Sequence, residues 1–152
     1  MSSETCSVAR TLEIVGEPWA LLILREAFQG LERFGEMQEH LGVSRPVLAQ
    51  RLREMVDAGL LERVPYREEG QRSRHAYRLT QKGRDLYPVV VALREWGDRY
   101  AAGDDGPPLL VTHAGCGAPV RVQVVCDDGH VVSGPGDVER RPGPGARLAR
   151  SA

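Results

Sequence analysis

The chain has 152 residues and a mass of 16.7 kDa, enough for one ordinary domain or one small domain with an appendage, and long enough to bury a core without disulfides. Its formal net charge is −1, from 20 Lys+Arg against 21 Asp+Glu, which taken whole discourages a polyanion partner. The average hides a segregation: residues 1–43 carry 3 Arg against 7 Glu, residues 44–84 carry 10 Arg/Lys against 5 Asp/Glu, and residues 85–152 carry 7 against 9. Binding responds to local potential, so the basic middle third keeps nucleic acid in view.

Other classes drop out on composition. The longest apolar run, Trp19-Ala20-Leu21-Leu22-Ile23-Leu24, falls far short of the roughly 20 residues a membrane helix needs, so no membrane partner is expected. The opening Met1-Ser2-Ser3-Glu4-Thr5-Cys6 lacks the basic and apolar regions of a signal peptide, and three cysteines make an odd count, so the expected location is a reducing cytoplasm. Nothing resembles a nucleotide-binding loop, a dinucleotide fingerprint or a nucleophile elbow.

In chain order, residues 6–28 read as two helices. Val8, Leu12 and Val15 share one face, Trp19, Leu22 and Ile23 another, and Gly16 with Pro18 marks the break. A short helix follows from Phe34 to Leu41, with Gly42 placed to stop it. Ser44 can cap a helix running to about Ala58 and ended by Gly59, with Leu48, Leu52 and Met55 on a seam and Pro46, Gln50, Arg53 and Asp57 opposite. Beyond Gly59, residues 61–66 and 75–79 read as strands of a hairpin with an arginine-rich tip. Thr80 can cap a last helix over 81–100, lined by Leu86, Val90, Leu93 and Trp96 and bent at Pro88 unless that residue lies near the true start. Residues 103–108 form a linker, 109–140 a small β-ribbon appendage with strands at 109–111 and 120–125, and 141–152 a disordered tail.

Two short helices joined by Gly42-Val43-Ser44 and followed by a basic hairpin outline a winged helix-turn-helix. The second helix must enter a major groove about 12 Å wide while apolar contacts hold it from behind. Ser44, Arg45, Pro46, Ala49, Gln50 and Arg53 occupy its N-terminus and outer side, where Gln50 can read adenine and Arg53 guanine or a phosphate. Arg72 and Arg74 on the hairpin would reach the flanking backbone or minor groove. Such a helix alone is more often an ordinary amphipathic one with a solvated face; the basic hairpin directly after it tips the reading to DNA. Apolar residues concentrated in the terminal helices, Trp96 and Tyr100 among them, exceed what one winged helix needs and point to a homodimer.

From Cys6 to about Tyr100 the chain resembles the HxlR-type winged helix-turn-helix regulators of bacteria. The resemblance rests on Cys6, Gly16, Trp19, Leu22-Ile23-Leu24, Arg33-Phe34, Gly42-Val43-Ser44, Leu48, Arg51-Leu52, Gly59-Leu60-Leu61 with Arg63, and Tyr77-Arg78-Leu79-Thr80 with Gly83 and Trp96. It implies a mostly α (α+β) fold, residues 1–102 forming the DNA-binding and dimerisation domain, a homodimer that binds a two-fold-related operator and represses or activates transcription, and no catalysis. The wing departs from the family pattern, since Glu68-Glu69-Gly70-Gln71 stands where a proline-containing tip is expected.

Three signal inputs are open. Cys6 sits where some family members carry a redox-sensing cysteine, with Arg10 one helical turn away; a cysteine starting an apolar helix is more often a small packed residue. His113-x2-Cys116 and Cys126-x3-His130 could close a tetrahedral structural zinc site, although Gly129-His130 stands where extended members of the family would carry a second Cys-x2-Cys pair. Trp19, Phe28, Trp96 and Tyr100 could line a small-molecule effector pocket, but such spacing is more often core. The rival from another class is a zinc- or thiol-dependent protein using the C-terminal Cys/His cluster, with the helices serving only dimerisation; a second rival is an adaptor that keeps the fold without DNA contact.

Overall fold

The computed structural model describes residues 5–67 and 74–146, which fall into two compact units meeting between Tyr87 and Pro88. In the first unit α1 (Ser7–Val15) ends where the Gly16 N–H reaches Leu12 O at 2.8 Å, and α2 (Pro18–Phe28) begins on its proline, whose missing N–H costs nothing at a helix start. Residues α3 (Phe34–Leu41) and α4 (Arg45–Asp57) flank a turn in which Gly42 takes φ 62°, a left-handed conformation that a β-carbon would penalise. Ser44 stands at the expected cap position of α4 but makes no side-chain capping bond.

The hairpin pairs β1 (Leu61–Tyr66) with β2 (Arg74–Leu79) antiparallel, in register from Leu61↔Leu79 to Tyr66↔Arg74. The free edge of β2 takes a short third partner, through the Arg33↔Ala76 bridge and Tyr77 N–H to Glu32 O at 2.7 Å. The core lies between the helices and this sheet: Ile23 and Leu24 of α2, Met37 of α3, Leu48 and Leu52 of α4, and Leu60-Leu61 are at most 2% exposed. Burying each such side chain contributes about 1.5–3 kcal/mol of transfer free energy, which is why α4 keeps its seam while its other face stays wet.

Among the described residues one charged side chain is buried. Glu26 of α2 is 2% exposed, its Oε1 accepts from Arg25 Nε at 2.8 Å and from Arg25 Nη2, and its Oε2 lies 3.3 Å from His40 Nδ1. A buried carboxylate is tolerated only with partners; Arg25 bonds Oε1, whereas Oε2 has no hydrogen-bond partner and only lies near His40 of α3.

The expected single helix over 81–100 is two. A turn at Asp85-Leu86 separates α5 (Gln81–Arg84) from α6 (Tyr87–Tyr100), and Pro88 therefore sits at the start of a helix rather than bending one. Thr80 caps α5 by accepting from Gly83 N at 3.1 Å, and its hydroxyl lies 2.6 Å from Gly59 O as donor. Thr80 N donates to Leu60 O at 3.0 Å and Lys82 Nζ to Ala58 O at 2.7 Å, so three successive carbonyls at the end of α4 are held from the start of α5. Thr80→Ala removes the hydroxyl from both contacts and is expected to lower unfolding stability by about 1–2 kcal/mol, read by denaturant titration; an unchanged midpoint would show that water replaces it.

The second unit carries most of α6 and the appendage. Arg94 pairs with Asp98 at 3.3 Å and donates to Val120 O at 3.1 Å, while Val122 N donates to Glu95 Oε2 at 3.0 Å. The strands expected at 109–111 and 120–125 do not form as regular elements; isolated bridges Thr112↔Pro119 and Val125↔Val131 stand in their place. The intervening sequence explains this, because Gly117 and Gly129 take φ 72° and 82° and turn the chain before a ladder can propagate. Residues 141–146 contain a turn, and the rest of the expected tail lies outside the described residues. No described helix is long and apolar enough to cross a membrane.

Candidate nucleic-acid interface

The interface candidate is the outer face of α4 and the hairpin beside it. Leu48, Leu52 and Met55 turn inward at 0–2% exposure, and helical geometry then puts Gln50 and Arg53 outward, where both are exposed. Ser44, Arg45 and Pro46 are exposed at the helix start and Ala49 is half-buried. The Arg45 guanidinium lies over the Phe34 ring at 5.1 Å, which restricts its long side chain before any ligand arrives. Arg74 opens β2 and is exposed; Arg72 lies outside the described residues.

The sequence reading missed a carboxylate in the middle of this face. Glu54 Oε1 accepts from Gln50 Nε2 at 2.7 Å, its Oε2 accepts from Arg51 Nη1 at 2.6 Å, and Arg53 Nη2 donates to Gln50 Oε1 at 2.5 Å. Arg51 also reaches Glu17 at 3.1 Å, so the lattice extends to the residue preceding α2. The donated hydrogen bonds from Gln50, then from Arg51, hold the Glu54 carboxyl below the usual carboxylate range. Gln50 is thus presented with its amide orientation set by Glu54 on one side and Arg53 on the other. The signal was available as an acidic residue at i+4 from Gln50, but a lone carboxylate on an exposed helix face ordinarily reads as solvation.

Cationic side chains on the hairpin and beside it are similarly ordered. Arg33 stacks over Tyr66 at 4.9 Å, Arg78 pairs with Glu32 at 2.9 Å, and Arg63 Nη2 lies 3.1 Å from His75 Nδ1. The Glu32 contact, chiefly its hydrogen bond, raises the Arg78 pKa above the ordinary arginine value.

The remaining candidates stand apart from this face. Cys6 is half-buried at the N-cap of α1. Cys126 Sγ lies 3.5 Å from His130 Nδ1, whereas His113 Nδ1 accepts from Gly115 N at 3.2 Å, and among the described residues no three His, Cys, Asp or Glu side chains gather as a metal site requires. Phe28 packs edge-on against Tyr87 at 5.0 Å, and Trp96 against Tyr100 at 5.4 Å.

A left-handed turn between two short helices, a buried seam behind the second and a two-stranded wing directly after it define a winged helix-turn-helix protein. The model of the HxlR-like helix-turn-helix family matches residues 14–105. The chain belongs to that family of transcriptional regulators. An uncharacterised HTH-type transcriptional regulator of Mycobacterium tuberculosis is 46% identical over 147 residues, 95% of this chain and 92% of that protein, so the similarity runs through the appendage. A crystal structure of PA1607, classed as a transcription factor, superposes with a TM-score of 0.78 at 39% identity over 96% of this chain and 95% of its own. The redox regulator HypR in its oxidised form gives 0.56 at 29% identity, covering 62% of this chain and 96% of its own.

Proposed function

We propose that the protein regulates transcription by binding a two-fold-related DNA operator as a homodimer, with α4 in the major groove and the hairpin on the flanking backbone. The observation that carries this reading is the outer face of α4: Gln50 and Arg53, exposed and held in one lattice, project from a helix whose opposite side is fully buried. Gln50 has the paired donor and acceptor that adenine requires, and Arg53 the fork that guanine requires. The basic block of the chain coincides with α4 and the hairpin, so attraction to phosphate is concentrated where base reading would occur.

Dimerisation is supported by apolar side chains left in water. On α1, Val8 and Leu12 are 67% and 56% exposed; on α6, Leu93, Trp96 and Tyr100 are 51%, 63% and 65% exposed. Each helix separately presents a face that a single copy does not cover, and a symmetric partner would.

The test is equilibrium binding to duplex DNA across a salt series, together with selection of bound sequences from a random pool. The expected results are a log affinity that falls with log salt at about −0.9 per phosphate contacted, and enrichment of an inverted repeat. A flat salt dependence with no enriched sequence would overturn the reading.

A further inference from the structure

Between the hairpin and the start of α4 lies a groove of about 420 Å³ whose walls include Arg45, Arg74 and His75 as polar groups and Phe34, Tyr66 and Tyr77 as rings. No described carboxylate lines it. Two arginine side chains lining a cavity to which no described residue brings a counter-charge attract an anion.

His75 supplies the detail. An arginine side chain can only donate, so the contact from Arg63 Nη2 to His75 Nδ1 at 3.1 Å makes Nδ1 the acceptor. The neutral ring then carries its proton on Nε2, and that N–H is left as a donor on an exposed side chain. The register explains the meeting: Arg63 pairs with Tyr77 and Pro65 with His75, so Arg63 and His75 are diagonal neighbours on one face of the hairpin. The groups facing His75 are thus Arg63 on β1, Tyr77 on β2 and Arg45 on α4, with Arg74 adjacent in sequence.

We infer that this groove seats one phosphate of the DNA backbone, with Arg45 and Arg74 supplying charge and His75 supplying a neutral Nε2–H bond whose tautomer is fixed by Arg63. The inference rests on the DNA-binding reading above and adds a named contact to it. The source of the phosphate is a diester of the duplex that α4 enters: Arg45 lines the groove and also opens α4, about 7.5 Å along the helix axis from Gln50, a distance of about two base steps. Arg63 is a positioning residue in this arrangement. It does not touch the DNA.

The experiment uses the full-length protein and its His75→Leu, His75→Gln, Arg63→Leu and Arg74→Ala variants, each checked for an unchanged melting curve and titrated with random-sequence duplex at several salt concentrations. His75→Leu and Arg63→Leu are expected to lose about fivefold in affinity per bound protomer with the salt slope unchanged, because the lost bond is to a neutral donor. His75→Gln, whose amide can still donate, should stay within about twofold. Arg74→Ala should flatten the slope by about 0.9 per bound protomer. The inference is overturned if His75→Leu binds as the parent does, or if Arg63→Leu flattens the slope, which would place Arg63 itself on a phosphate. A calorimetric titration with inorganic phosphate alone separates the sources: no saturable binding is expected at millimolar concentration, and saturable binding lost in His75→Leu would make this a site for a free anion instead. If the parent itself shows no salt-dependent DNA binding, it is the functional reading that fails.

Discussion

Replacing Arg53 by Ala is expected to leave a folded protein that still binds DNA but has largely lost its preference for the operator over random duplex. Arg53 is exposed and makes no core contact, so stability should change by less than about 0.5 kcal/mol. A bidentate arginine–guanine contact discriminates by about 1–3 kcal/mol, or about 5- to 150-fold per protomer, and a symmetric dimer makes it twice. Loss of Arg53 also frees Gln50 Oε1, which accepts from it at 2.5 Å, so the glutamine becomes less well aimed and the loss should extend to the neighbouring base. Competition between a selected sequence and a scrambled one measures the effect. Equal loss on both, with a flatter salt slope, would reassign Arg53 to a phosphate. The lattice itself should persist across the neutral range: Glu54 is held below the usual carboxylate range, so it protonates, and releases Gln50 and Arg51, only as pH falls through that lowered value.

The second large effect is on folding. A β-carbon added at Gly83 would stand 2.2 Å from Leu60 O and 3.1 Å from both Leu60 C and Leu79 Cδ2. The first of these atoms is backbone, and it already accepts the Thr80 N–H at 3.0 Å, so it cannot yield without pulling the hairpin base apart. Gly83→Ala should therefore cost about 2–4 kcal/mol, and a unit of this size should melt more than about 10 °C lower. Gly35→Ala is the control: nothing lies within 4 Å of its added carbon, it is inside α3, and alanine there should hold or raise the melting temperature. A Gly83→Ala protein melting within about 2 °C of the parent would show that the α4–α5 junction gives way freely.

The first four helices and the hairpin were legible because each announces itself locally. Gly16 and Pro18, Gly42, and Gly59 punctuate helices whose apolar residues recur at helical spacing, and the inward set Leu48, Leu52 and Met55 follows from that period alone. The break between α5 and α6 was half legible: Asp85-Leu86 contains neither glycine nor proline, but Pro88 left open a helix start close by, and α6 begins one residue before it. In the appendage, alternating valines suggested strands, but alternation specifies a face only when a partner strand has room to run, and the dense glycines remove that room. The candidate interface was half visible. Gln50 and Arg53 were read from their position on α4; Glu54 stood at i+4 from Gln50 without a sign that it was more than a solvated carboxylate, and the Arg63–His75 pair depends on strand register that no local pattern encodes.

The three carbonyls at the end of α4 have a mechanical meaning. Ala58, Gly59 and Leu60 each accept a bond from Thr80 or Lys82, and Gly83 closes against the last of them. This is a rivet between the helix that faces outward and the start of α5, in which every acceptor is a backbone oxygen and no apolar core contact takes part. Torque on α4 is therefore delivered to α5 along a path three residues long, and softening that path would uncouple the two helices while leaving every buried leucine in place.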